Sequence, residues 1–253
     1  MTVDKFTQVA KGSRTMLRDI AYSLISAGYK IPKSVEEKIG RFSYQIYLAA
    51  LLKKLRINCV LDVGANIGYF AENIRKLGYK GQILSFEPHP EIFPTLQKNF
   101  KNDTLWRGYD LGLGSEDALA TFNLNTYSEL SSFLVPNASM PKTVNSCEVK
   151  IKALDSLLDD ILTLVPEPRI FLKMDTQGYD IEVVKGASKC IDKILCLQSE
   201  ISVRANYINI PSYLDALRYY ESLGFEVADL FAAFRNPEGY VTEYDCLMVR
   251  SKT

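Results

Sequence analysis

Residues Val60 to Phe70 read VLDVGANIGYF, an apolar run that stops in glycines and passes straight into a helical pattern. A strand that leaves through a helix has no hairpin partner, so it must pair parallel with a later strand through a crossover. The same alternation recurs down the chain. Strands are predicted near 59–63, 82–87, 104–110, 169–174 and 194–200, and helices near 69–77, 91–100, 180–185 and 211–223. An insertion, 111–168, separates the third and fourth strands and carries two strand-like runs, ALATFNL and CEVKI, with a short helix after Asp155. At the C-terminus FEVADL and YDCLMVR are joined without a helix, so they pair antiparallel. The predicted fold is α/β: a three-layer sandwich around a mostly parallel, seven-stranded sheet closed by an antiparallel C-terminal hairpin.

Residues 1–56 read as an N-terminal helical extension and 57–253 as the main domain. Gly28 and Pro32 separate two helices, Ser34 and Glu37 form a capping box, and Ile39, Phe42, Ile46, Ala49 and Ala50 fall on one face. That stripe is a surface for packing on the main domain or on a second copy in a homodimer. Lys53, Lys54 and Arg56 complement the dipole at the helix end.

Composition acts by exclusion. Lysine plus arginine number 30 and aspartate plus glutamate number 30, which removes the global pull toward nucleic acid or anionic membrane. His89 is the only histidine, so a multi-histidine metal site is excluded and any base is a carboxylate before it is an imidazole. The five cysteines are odd in number and never spaced C-x-x-C, which suits buried thiols in a reducing cytoplasm. No apolar run approaches a membrane span, and the N-terminal residues lack a signal-peptide pattern, so the expectation is a cytoplasmic protein.

The turn after the first strand follows Asp62-x-Gly64-x-Asn66-x-Gly68, which lacks the G-x-G-x-x-G of a dinucleotide fingerprint. Glycines there let the backbone approach a ligand, and Asp62 suits a cationic or amino-bearing group. Glu87 ends the next strand 19 residues after Gly68, the offset at which a carboxylate reaches a ribose diol. His89 is expected at the edge of that pocket.

VLDVGANIGYF, SFEPHPEIFPTL, YDLGLGSEDALATF, SELSSFL, IKALDSLL, IFLKMDTQGYDIEVVKGA and LQSEIS, in this order, resemble the FkbM family of methyltransferases. The resemblance runs from about Leu51 to Arg250 and implies a class I, Rossmann-like methyltransferase that uses S-adenosylmethionine on a saccharide or natural-product hydroxyl. Carried over by position, Asp62, Gly64, Asn66 and Gly68 line the methionine part of the cofactor. Glu87, with Pro88 beside it, holds the ribose, and Asp110 and Leu111 flank the adenine. Asp175 lies near the transferred methyl. Gln177 departs from the commoner acid before the glycine, which weakens any metal or base role there. The competing readings are a nicotinamide-dependent oxidoreductase and a non-catalytic cofactor-binding or scaffold protein.

Methyl transfer needs an acceptor oxygen placed in line with the methyl carbon and a base to take its proton. Asp175, at the end of the central strand, is read either as that base or as the residue that orients the Thr176-Gln177-Gly178 turn. Glu200 ends the next strand and is the alternative base. Lys173 points to the same side as Asp175 by strand alternation and tunes it. Asp175 and Glu200 together could also supply hard oxygens to Mg²⁺, a reading that Gln177 weakens. Ser128, Ser131 and Ser132 read as a polyol-binding lid or a surface loop. Gln177, Tyr207 and Tyr213 lie where an acceptor would bind.

Overall fold

Strands β1 (Cys59–Val63) and β7 (Ile170–Met174) are buried at every position, as the middle of a parallel sheet covered on both faces requires. They pair in register, from Cys59 beside Ile170 to Val63 beside Met174. Strands β2 (Gln82–Phe86), β3 (Trp106–Tyr109) and β8 (Ile194–Ser202) fall on the predicted apolar runs. The computed structural model describes residues 33–138 and 140–251, together with 23 and 26. The expected first helix and its Gly28–Pro32 break lie outside the described residues, as do the side chains of the Ser34–Glu37 cap.

The main sheet has the order β3-β2-β1-β7-β8-β10-β9, with β9 (Phe225–Arg235) and β10 (Val241–Arg250) as the C-terminal pair. Only β10 is reversed, because it runs antiparallel to both β8 and β9. The expected hairpin is therefore present, with its second strand inside the sheet and its first at the edge. Crossovers are made by α2 (Tyr69–Lys76), α3 (Phe93–Asn99), α5 (Asp180–Lys185) and α6 (Tyr213–Ser222). The insertion forms a second, three-stranded sheet of β4 (Gly112–Leu113), β5 (Ala118–Asn125) and β6 (Thr143–Lys152), in the order β4-β6-β5. Helix α4 (Leu158–Leu164) follows it.

One core packs α4, α5 and α6 on a face of the main sheet through Leu61, Phe86, Leu172, Leu197 and Tyr220. Full burial of each such side chain contributes about 1.5–3 kcal/mol. The chain divides into two compact units, 1–46 and 47–253, and the division falls inside helix α1 (Lys33–Lys54). Within the second unit α1 buries Leu48, Leu51 and Leu52 while Ala50 is exposed. The expected stripe through Ala49 and Ala50 is thus displaced, since leucines bury more apolar area than alanines. Among the described residues no helix is long and apolar enough to cross a membrane.

Candidate active site

The carboxyl ends of β1, β2 and β7 open onto one hollow. Its floor is the glycine turn after β1. Gly64 sits at φ +70°, and a Cβ there would lie 2.0 Å from the Asp175 carbonyl oxygen, so only glycine lets the turns after β1 and β7 touch. Gly68, at φ +95°, starts α2, where a Cβ would meet the Phe100 ring at 2.3 Å. Between them Asn66 is left-handed at φ +48°, a conformation asparagine tolerates.

Glu87 lines one wall with both carboxyl oxygens engaged. Oε2 accepts the Asn66 N–H at 2.7 Å and Oε1 the His89 N–H at 2.8 Å. Burial pushes its pKa up to about 7 against these two hydrogen bonds and the Lys173 charge, which favour the carboxylate. Pro88, Phe86, Leu113, Phe122 and Phe133 supply apolar surface, with Phe122 and Phe133 ring centroids 4.9 Å apart. Ser128, Glu129 and Ser131 close one side, and Asn66 Nδ2 donates to Ser128 Oγ at 3.0 Å. Asp175 and Thr176 form the rim.

Several sequence-selected residues take other places. Asp62 is fully buried and does not line the hollow; its carboxylate meets Lys173 Nζ at 3.1 Å and Ser85 Oγ at 3.4 Å. The amino group it faces is therefore the chain's own. Asp110 is exposed and Leu111 is buried, and the next two residues, Gly112 and Leu113, line the hollow instead. His89 is buried edge-on to Phe122, and burial lowers its pKa. Residues that sequence reading missed are Gly112, Leu113, Phe122, Glu129, Phe133 and Thr176. The alternation in ALATF marks Phe122 as inward-facing, and Gly112 is required because a Cβ there would lie 2.6 Å from Phe133.

The two candidate bases meet at the end of β7. Asp175 has a 46% exposed side chain and lies 3.7 Å from Lys173 Nζ, which also donates to the Gly64 carbonyl at 3.2 Å. Neighbouring Asp62 and Asp175 hold the Lys173 pKa above its ordinary value, against the burial that opposes it. Gln177 Nε2 donates to Asp175 Oδ1 at 3.0 Å and to Glu200 Oε2 at 2.9 Å. Burial, then the nearby acids, push Glu200 well above the carboxylate range.

Tyr207 lies in the loop after β8 with its side chain buried. Its hydroxyl lies 2.9 Å from the Leu130 carbonyl and 3.0 Å from Gln177 Oε1. Ser132 donates to the Gln177 carbonyl at 2.9 Å, and Ser131 Oγ accepts the Asn125 N–H at 3.1 Å. Asp180, which lies within the motif IFLKMDTQGYDIEVVKGA but was given no role there, braces the turn: it accepts the Thr176 hydroxyl, the Ser199 hydroxyl at 2.7 Å and the Glu200 N–H at 3.1 Å. Among the described residues no group of three or more His, Cys, Asp or Glu side chains is arranged to hold a metal ion.

The sequence model of the methyltransferase FkbM domain matches residues 62–227. The chain is 29% identical over 145 residues to Methyltransferase 1 of Beauveria bassiana (strain ARSEF 2860), covering 50% of this chain and 57% of that protein. It is 27% identical over 156 residues to Methyltransferase sdnD of Sordaria araneosa, covering 51% of this chain and 60% of that protein. It thus spans less than two thirds of the length of either relative. Among solved structures, magnesium protoporphyrin IX methyltransferase from Synechocystis PCC 6803 aligns with a TM-score of 0.47 and 10% identity, over 94% of this chain and 96% of that one. With the domain match reaching from β1 into β9, the chain belongs to the methyltransferase FkbM family.

Proposed function

We propose that this protein is an S-adenosylmethionine-dependent O-methyltransferase acting on a hydroxyl of a saccharide or natural-product-like metabolite. The observation that carries the reading is the half-exposed Asp175 carboxyl on the rim of the hollow, one backbone contact from the glycine turn. The residues present suit the methyl donor. Each Glu87 oxygen uses one hydrogen bond and keeps a second lone pair, together enough for a vicinal diol. Phe86, Leu113 and Phe122 would take a flat base, and Gly64 and Asn66 the amino-acid part.

When bound, S-adenosylmethionine supplies an electrophilic methyl whose sulfonium leaving group departs neutral. The protein's part is positional and proton-handling. Asp175 accepts the proton of the acceptor hydroxyl: the O–H bond breaks as a carboxyl O–H forms, and exposure lets that proton pass to water. Lys173, held between Asp62 and Asp175, fixes the local charge. Zero net charge and a carboxyl on the rim favour a neutral acceptor over nucleic acid or a phosphorylated metabolite.

Calorimetry with S-adenosylhomocysteine and with NAD tests the cofactor, and transfer of labelled methyl from S-adenosylmethionine to a panel of saccharides and polyketide-type alcohols tests the acceptor. Binding of S-adenosylhomocysteine alone, with label on a hydroxyl, is expected. Tight NAD binding with no response to S-adenosylhomocysteine overturns the reading in favour of an oxidoreductase.

A further inference from the structure

Gln177 has a left-handed backbone, φ +55°, followed by Gly178 at +93°. A non-glycine residue is disfavoured there, so its surroundings must hold it. The side-chain amide does so. Its two N–H groups are both spent, one on Asp175 Oδ1 at 3.0 Å and one on Glu200 Oε2 at 2.9 Å. Its oxygen faces the Tyr207 hydroxyl at 3.0 Å, and its backbone carbonyl accepts from Ser132 at 2.9 Å. No donor is left for an acceptor molecule.

We propose that Gln177 is a positioning residue and not a substrate ligand: its amide clamps the Asp175 and Glu200 carboxyls to one another, Asp175 being the outward member and Glu200 the inward one. The proposal deepens the methyltransferase reading and rests on it for the role of Asp175. The surroundings of the two carboxyls differ in kind. Asp175 opens to solvent and has the Lys173 ammonium 3.7 Å away. Glu200 is faced by Asp175 from β7, Asp180 from α5, Glu243 and Asp245 from β10, and Tyr207 from the loop after β8.

An anion at Glu200 would add to that acidic group, which favours its neutral form. Burial acts in the same direction. A neutral amide is the bridge that suits such a pair. It donates to both carboxyls at once, whereas a glutamate would add another acid to the group and a leucine would take the donor away from Asp175 Oδ1 and Glu200 Oε2 alike. Tyr207 has one hydroxyl proton for two acceptors, Gln177 Oε1 and the Leu130 carbonyl, and thereby ties the clamp to the segment beside the hollow.

The test needs no acceptor. In the full chain labelled with ¹³C at aspartate and glutamate side-chain carboxyls, resonances are assigned with Asp175→Asn and Glu200→Gln and followed from pH 4 to 10. Gln177→Met, of similar length but without donors, removes a hydrogen bond from the charged form of Glu200 and is expected to raise the Glu200 midpoint by a pH unit or more and to displace the Asp175 carboxyl resonance at fixed pH. A folded Gln177→Met protein with the Glu200 titration and the Asp175 resonance both unchanged overturns the proposal. Should Gln177→Met fail to fold, Tyr207→Phe carries the test, with a displacement in the same sense expected and no displacement overturning it. Wild-type binding of S-adenosylhomocysteine is measured separately; its absence would sink the cofactor reading while the titration still decides the clamp.

Discussion

Asp62 on β1 and Lys173 on β7 are register partners in adjacent parallel strands, and their charged ends meet at 3.1 Å with both side chains out of water. A buried ion pair broken on one side leaves a charge with no compensation, which costs about 3–5 kcal/mol. Lys173→Met is therefore expected to lower the melting temperature by roughly 6–20 °C for a domain of this size. The double variant Asp62→Leu/Lys173→Met should recover much of that loss. Thermal melts followed by circular dichroism decide it, and a double variant no more stable than Lys173→Met would contradict the pairing.

Glu87 gives a pH dependence with a definite sign. Its carboxyl is raised in the folded chain from 4.5 to about 7, mainly by burial. Between those values the folded chain holds a proton that the unfolded chain has released. The contribution to stability is full below about pH 4.5 and is lost as pH rises through 7, by about 3 kcal/mol. Urea unfolding of wild type against Glu87→Gln should show this loss as a difference between the two pH profiles.

On the proposed role of Glu87 the same titration should govern ligand binding, because an ionised carboxylate accepts both hydroxyls of a diol. Affinity for S-adenosylhomocysteine is expected to rise by up to about tenfold from pH 6 to pH 8 and then level off. Glu87→Gln should bind more weakly with a flat profile. A wild-type affinity that falls over this range would show that Glu87 does not hold the diol.

Gly64 and Gly78 separate steric from conformational cost. Both have positive φ, +70° and +92°, but a Cβ at Gly64 strikes the Asp175 carbonyl at 2.0 Å whereas nothing lies within 4 Å of one at Gly78. Gly78→Ala should cost only the left-handed penalty of about 1–2 kcal/mol. Gly64→Ala should cost more than that and abolish binding of S-adenosylhomocysteine. Chemical denaturation together with calorimetry on both variants provides the comparison.

Thiol accessibility offers an independent check on packing. All five cysteines are free; Cys59, Cys190, Cys196 and Cys246 are buried and Cys147 is partly exposed on β6. Burial pushes Cys59, Cys190 and Cys246 up to about 12, which suppresses the reactive thiolate. A thiol reagent at pH 8 should label Cys147 first and stop near one equivalent until denaturant is added. Mass spectrometry of the labelled peptides reads the result.

The strands were legible because short apolar runs bounded by glycine leave few alternatives, and Glu87 because its offset from Gly68 follows from adjacent parallel strands. The Asp62–Lys173 pair was not. Its members are far apart in the chain and meet only once β1 is set beside β7 in a particular register. The same holds for Gln177 and Glu200, which lie on different elements 23 residues apart. Phe122 and Phe133 reach the hollow through the pairing of a second sheet and its adjoining loop, whose register the local pattern does not specify. Asp110 and Leu111 lie just short of the wall formed by Gly112 and Leu113 for a related reason: where a short strand turns, displacement by one or two residues exchanges wall for exterior.

Residues 128–132 are fastened at three points: Asn66 to Ser128, Tyr207 to Leu130 and Ser132 to Gln177. The fasteners belong to the glycine turn, to the loop after β8 and to the turn after β7. This segment is consequently not a modular graft. Exchanging it for the corresponding stretch of a relative would withdraw hydrogen-bond partners from three separate elements at once. Engineering a new specificity here would call for compensating changes at Asn66, Gln177 and Tyr207 in the same design.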